Sequence, residues 1–219
     1  MTESQTLPSP APSPHSPSPP PPPVDMQSLA SIELSRLRFA VTGVGGGVGV
    51  TTIAALIAVA LSDKTGLPPK VVDHSGGTIV KLVADASPSA DHWVYDLGPH
   101  ATTTTQQLAT GILGHPIVVC STAPESIASA LVVLKQLSSV KQDMVASSPD
   151  VPIPPAIIVI NSTSHRKSAT RAAARLQRTV PGAPVIALPW DPTLAMPGEI
   201  ELSRLADPTL EAANWLLGS

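Results

Sequence analysis

The sequence predicts an α/β domain built on a doubly wound, mostly parallel sheet, and three observations predict it. Short apolar runs alternate with helical patterns from Leu37 to Leu217, the pattern of strand–helix units in a parallel sheet. Hydrophobic residues make up 42% of the chain, but aromatic residues only 2%. The core must therefore be packed from Ala, Val, Leu and Ile, which suits strands covered on both faces. The third observation is a glycine tract. Val41 to Thr52 reads Val-Thr-Gly-Val-Gly-Gly-Gly-Val-Gly-Val-Thr-Thr and joins the first apolar run to the first helix. Strand, glycine loop and helix in that order let backbone N–H groups converge on an anion at a helix N-terminus.

The elements follow in order. Ten of the 26 prolines lie between positions 8 and 23, ending in Pro19 to Pro23. With few N–H groups to donate and few apolar side chains, residues 1–24 are expected to be a disordered polyproline II spacer. The functional alternative is a docking ligand through which protein partners are engaged. Composition favours the linker. Residues 25–219 are then the folded domain, and Asp25 is placed to cap a short helix over Met26–Arg36. Leu37–Val41 is strand one and Thr51–Ser62 helix one. Lys70–Val72 begins strand two after Pro68-Pro69, and Gly77–Ala84 reads as a short helix. His92–Tyr95 is strand three, ending at Asp96, and Thr102–Gly111 is a helix. Pro116–Cys120 is strand four, Glu125–Ser139 an amphipathic helix, and residues 141–155 a loop rich in proline and serine. Ala156–Ile160 is strand five, ending at Asn161. Ser164–Arg178 is a helix and Pro184–Leu188 strand six. Asp207–Leu217 closes the chain, with Asp207-Pro208 as cap and first turn.

Bulk properties exclude several classes. A formal net charge of −3 gives the whole molecule no pull toward nucleic acid or acidic lipid. The single Cys120 cannot close an internal disulfide and fits a reducing cytoplasm, where the protein is expected to reside. The N-terminus lacks a basic region followed by an apolar one, so no signal peptide is expected. The longest apolar stretch, Ile53 to Leu61, is too short to span a bilayer. The six His show no metal-ligand spacing.

The chemistry-bearing residues stand at strand ends, where open α/β sheets bind ligands. Gly45, Gly46, Gly47, Val48, Gly49, Val50, Thr51 and Thr52 form the candidate phosphate cradle. Thr51 stands at the position whose hydroxyl ligates Mg²⁺ in P-loop proteins; helix capping is its structural alternative. Asp73 and Asp96 end adjacent strands behind the loop, and together with Thr51 they form a candidate Mg²⁺ set. Either aspartate alone would read as a turn or cap residue.

The tract Gly46-Gly47-Val48-Gly49-Val50-Thr51-Thr52 resembles the deviant Walker A motif of the MinD/ParA family of P-loop ATPases, Lys-Gly-Gly-Val-Gly-Lys-Thr-Thr. Gly45 stands at the signature lysine and Val50 at the second. The resemblance runs from about residue 37 to 217. It implies a P-loop α/β domain that binds ATP or ADP with Mg²⁺ and forms a homodimer. It also implies roles for single residues. Val71-Val72-Asp73-His74-Ser75-Gly76 is similar to the family's switch segment; Asp73 matches its first carboxylate, and Ser75 replaces the second, water-positioning one. Asp73 and Ser75 are therefore the candidate catalytic residues, although a serine accepts a proton poorly. Asp96 is similar to the Walker B aspartate. Asn161, and Pro189 in Leu188-Pro189-Trp190-Asp191-Pro192, match the family's adenine-side positions. The tract from Leu188 to Leu205 is more similar still to MinD-like proteins encoded with actinobacterial type VII secretion systems.

Three departures shape the expected function. Val50 removes the lysine that meets the β- and γ-phosphates, and losing one preorganised contact of this kind costs on the order of 10²–10³ in rate. Gly45 removes the lysine that reaches across the family's nucleotide-sandwiched homodimer. Asp96 follows Asp73 by only 23 positions, where the family carries a longer insert. The leading expectation is a degenerate nucleotide-binding scaffold that regulates or positions a larger assembly. The alternative is an active ATPase with a relocated lysine, Lys81 or Lys70 being candidates. A dinucleotide-binding oxidoreductase fails because Gly43-Gly45-Val48 and Gly45-Gly47-Val50 both lack the third glycine. Lys167, Arg171, Arg175 and Arg178 share one helical stripe, with Arg166 beside it. That stripe is either a salt-dependent DNA contact or, as favoured here, the solvated face of an amphipathic helix.

Overall fold

The six apolar runs become the six strands of one parallel sheet. They are β1 (Arg38–Gly43), β2 (Lys70–Asp73), β3 (Trp93–Asp96), β4 (His115–Ser121), β5 (Ile157–Asn161) and β6 (Val185–Leu188), in spatial order β2-β3-β1-β4-β5-β6. This is a computed structural model that describes residues 37–76, 78–84, 88, 91–147, 155–164 and 168–218. The proline-rich segment and the helix expected over Met26–Arg36 lie outside the described residues, as do Arg166 and Lys167.

The helices are α1 (Val50–Thr65), α2 (Thr105–Ala109), α3 (Pro124–Ser147), α4 (Ala169–Thr179) and α5 (Asp207–Leu216). One face of the sheet carries α1 and α5, whose buried residues join Phe39, Val41, Val94, Ile117 and Val159. The other face carries α2, α3 and α4 in two smaller clusters around Ala40 and Val118 and around Cys120 and Ile160. Buried Ile53, Leu56, Ile57 and Leu61 put α1 at the centre of the larger core. Truncating one such side chain to Ala would cost about 2–5 kcal/mol. Among the described residues, no helix is long and apolar enough to cross a membrane.

Several boundaries differ from expectation, each for a local reason. The helix expected to end at Ser139 runs on to Ser147, because Lys141 to Ala146 contains no glycine or proline to stop it. Gly77–Ala84 shrinks to a 3₁₀ turn at Ile79–Lys81. Thr102–Gly111 keeps helix only over Thr105–Ala109. Ahead of it, the hydroxyls of Thr103 and Thr104 both donate to His100 O, a local bond that competes with the helical one. The α4 helix starts at Ala169 with Ser168 as its cap, accepting from Arg171 N–H.

Register sets the level of the site. Asp73 pairs with Asp96, Asp96 with Val41, and Ser121 with Asn161. The glycine loop, both aspartates and the asparagine therefore meet at the carboxyl edge of the sheet.

Candidate functional site

The glycine loop is held at its ends and open in its middle. Gly43 N–H donates to Gly98 O at 2.9 Å, Val44 N–H to Val119 O at 3.1 Å, and Gly43 O accepts from Ala101 N–H at 3.1 Å. From Gly45 to Thr52, no backbone N–H donates to another group among the described residues. A Cβ added at Gly45, Gly46 or Gly47 would meet no heavy atom within 4 Å. Gly47 and Gly49 have φ of 72° and 89°, a region that costs other residues roughly 1–2 kcal/mol. Gly49 is the N-cap of α1, with no side-chain cap and no acid in the first turn. The helix N-terminus and its dipole thus face the open loop unsatisfied. Thr51 is the second residue of the helix rather than its cap.

Both valines of the tract turn inward. Val48 and Val50 are 5% and 6% exposed and belong to the larger core. A Cβ at Gly43 would approach them to 2.8 and 2.5 Å, so that position must be glycine for the loop to close over them. Where the resemblance implies a lysine reaching for phosphate, this chain has a buried aliphatic side chain. Asn161 Nδ2 donates to Val48 O at 3.0 Å, and a Cβ at Gly49 would collide with that amide. Asn161 therefore braces the loop from below.

Below the loop, four oxygen-bearing side chains converge. Ser75 Oγ lies 2.9 Å from Asp73 Oδ1, 2.8 Å from Asp96 Oδ2 and 3.4 Å from Thr51 Oγ1. Asp73 Oδ1 also accepts the N–H groups of Ser75 and Gly76 at 2.7 and 3.1 Å. Asp96 is fully buried, and its Oδ1 accepts Gly98 N–H at 3.0 Å. The Ser75 hydroxyl carries one proton and faces two carboxylates, so it serves one of them at a time. Asp96 forms no ion pair with a Lys or Arg among the described residues. A set of oxygen donors that includes two carboxylates suits a hard divalent cation.

The remaining candidates are placed elsewhere. Pro189 lines an open groove at the β6 edge with Thr170, Glu211 and Trp215. Asp191 ties that segment down: Thr193 N–H and Ala206 N–H donate to its two oxygens at 2.9 Å each. Burial pushes its pKa up, but the bonds from these two backbone N–H groups oppose that and help to hold the pKa low. Lys70 Nζ sits 4.4 Å from the Trp93 ring centroid, at the opposite end of β2 from Asp73. Lys81 is exposed on its 3₁₀ turn. Arg171, Arg175 and Arg178 share one groove.

Two features were missed in the sequence. Thr42 Oγ1 donates to Gly98 O at 3.1 Å and locks the β3 end against β1. His74 and His100 line a cleft of about 800 Å³ next to the site, with Leu97, Gln106 and Ile112. Two histidines flanking the strand-end aspartates were the signal that could have found it.

A ParA family ATPase from Chlorobium tepidum superposes on this architecture with a TM-score of 0.57. The match covers 84% of this chain and 98% of that one, at 15% sequence identity. The fold is ParA-like. At that identity the likeness establishes the arrangement of strands and helices, while the site rests on this chain's own residues. A nucleotide-binding protein from Archaeoglobus fulgidus in complex with ADP is similar over 76% of this chain and 87% of that one, at 14% identity. Its TM-score of 0.41 is too loose to argue from. No family model matches the chain, and no curated protein does. Thr51, just after the glycine loop, and the aspartates ending β2 and β3 meet around Ser75 at the carboxyl edge of the sheet.

Proposed function

We propose that this chain binds ATP or ADP with Mg²⁺ at the glycine loop, hydrolyses ATP slowly or not at all, and acts as a regulator or positioning scaffold for a larger assembly such as secretion, pilus, partition or division machinery. The observation that carries the reading is the run of N–H donors from Gly45 to Thr52, unpaired among the described residues, at a helix start without a side-chain cap. Such a cradle binds phosphate through backbone and dipole without a cationic side chain. Thr51, Ser75, Asp73 and Asp96 would hold the cation, which supplies charge neutralisation of the phosphates.

Slow turnover follows from what the chain lacks. Val50 is buried where a lysine would contact phosphate. Ser75 orients a water but has little basicity to take its proton. Protein partners, reached in part through the proline-rich residues 8–23, complete the reading. The test is phosphate release from ATP by the wild type, by Asp96→Asn and by Gly45→Lys/Val50→Lys. Wild-type turnover at background, rising by about 10²-fold in the double lysine variant, supports the reading. Wild-type turnover that Asp96→Asn abolishes would replace it with an active ATPase.

A further inference from the structure

The two faces of the β6 edge carry opposite charge. On one face, α4 presents Arg171, Arg175 and Arg178, all exposed, along a groove of about 840 Å³ floored by Ile127, Leu131 and Leu176. On the other, α5 presents exposed Asp207 and Glu211, with Trp215 48% exposed one turn further. None of these charges forms an ion pair among the described residues. At the head of the α4 groove, Thr122 Oγ1 is buried without a hydrogen-bond partner.

The spacings correspond. Arg171 and Arg175 are four residues apart, as are Asp207 and Glu211, and Arg178 follows as Asn214 and Trp215 do. Both helices pack on β6, from opposite faces. Asp191 ties the start of α5 to the carboxyl end of β6, and Ser162 N–H, just before α4, bonds Leu188 O at that same end. Both helices thus start from the carboxyl end of β6, and Thr170 of α4 lines one groove at the β6 edge with Glu211 and Trp215 of α5. A two-fold rotation about an axis parallel to β6 keeps height and exchanges faces.

We infer that the chain pairs with a second copy of itself across the β6 edge, α4 of one protomer packing against α5 of its partner, twice by symmetry. Arg171 and Arg175 meet acids, Trp215 enters the apolar groove beside Arg178, and a carboxylate comes within reach of Thr122. The same contact covers an edge strand that, among the described residues, no other strand pairs on its outer side. Charge complementarity combined with an aromatic anchor is the composition of a specific interface. This surface lies apart from the glycine loop and needs no nucleotide.

The test uses the full chain without nucleotide, by sedimentation velocity from about 1 to 100 µM at low and high salt, with circular dichroism as the folding control. The wild type is expected to dimerise, at least about tenfold more weakly at high salt. Arg175→Glu and Glu211→Arg should each weaken the dimer at least about tenfold. An equimolar mixture of the two variants should dimerise again to within about threefold of wild type, because one interface then regains a reversed pair and the other keeps a native pair. A wild type monomeric at 100 µM, reversals without effect, or a mixture that stays monomeric would each overturn the inference.

Discussion

Replacing Ser75 with alanine is predicted to destabilise the protein without touching its core. Ser75 Oγ stands 2.9 Å from Asp73 Oδ1 and 2.8 Å from Asp96 Oδ2. With a single proton, it supplies one charge-assisted bond at a time, and such a bond contributes about 1.5–3 kcal/mol. Asp96 is fully buried and keeps only Gly98 N–H on its other oxygen. Removing the hydroxyl takes away the donor that stands between the half-buried Asp73 and the fully buried Asp96. The expected loss is therefore about 1.5–3 kcal/mol, or roughly 3–12 °C in Tm for a domain of this size. Urea unfolding and calorimetry at pH 7 with chelator present would measure it. Adding Asp73→Asn should recover part of the loss, since Asn Oδ1 still accepts from Ser75 and Gly76 N–H while one negative charge is gone. A Ser75→Ala variant within ~0.5 kcal/mol of wild type, or strict additivity of the two substitutions, would refute this account of the cluster.

Three further outcomes follow from the structure. Gly114→Ala should cost about 2–4 kcal/mol in urea unfolding, since φ is 95° and the new Cβ would collide with the Arg38 backbone; Gly182→Ala, at φ 88° in open space, should cost only about 1 kcal/mol. Asp191 contributes stability that is present above the unfolded carboxylate value of 3.8 and is lost as pH falls through its lower folded value, so Asp191→Asn should be less stable at pH 7 by a margin that narrows below pH 4 in acid titrations. Burial pushes the Cys120 thiol up to about 12, so a maleimide or disulfide probe should label it in urea but not in the native protein at pH 7–8.

The fold was legible because its signals are local. Each strand is a short apolar run, and several are bounded by proline or glycine: Pro68-Pro69 before β2, Pro155 before β5 and Pro184 before β6. Helix ends were less legible, because tertiary context decides them. Ser147 still belongs to α3 although the residues around it read as loop, and the hydroxyls of Thr103 and Thr104 delay α2 by bonding His100 O. At the site, Asp73, Asp96 and Thr51 were placed by strand ends and loop spacing, and the structure brings them together through Ser75. Side-chain direction was not legible. No periodicity indicates that Asn161 turns its amide to Val48 O, or that Pro189 faces a groove with Trp215. Those outcomes depend on contacts between residues far apart in sequence.

Isothermal titration calorimetry of the purified full chain with ATP and with ADP, each with and without Mg²⁺, tests the central claim most directly. Saturable binding at about 100 µM or tighter that requires Mg²⁺, and that Asp96→Asn weakens at least about tenfold, is the predicted result. No heat at millimolar nucleotide with a folded protein would contradict it, and would leave the glycine loop as a turn that positions α1.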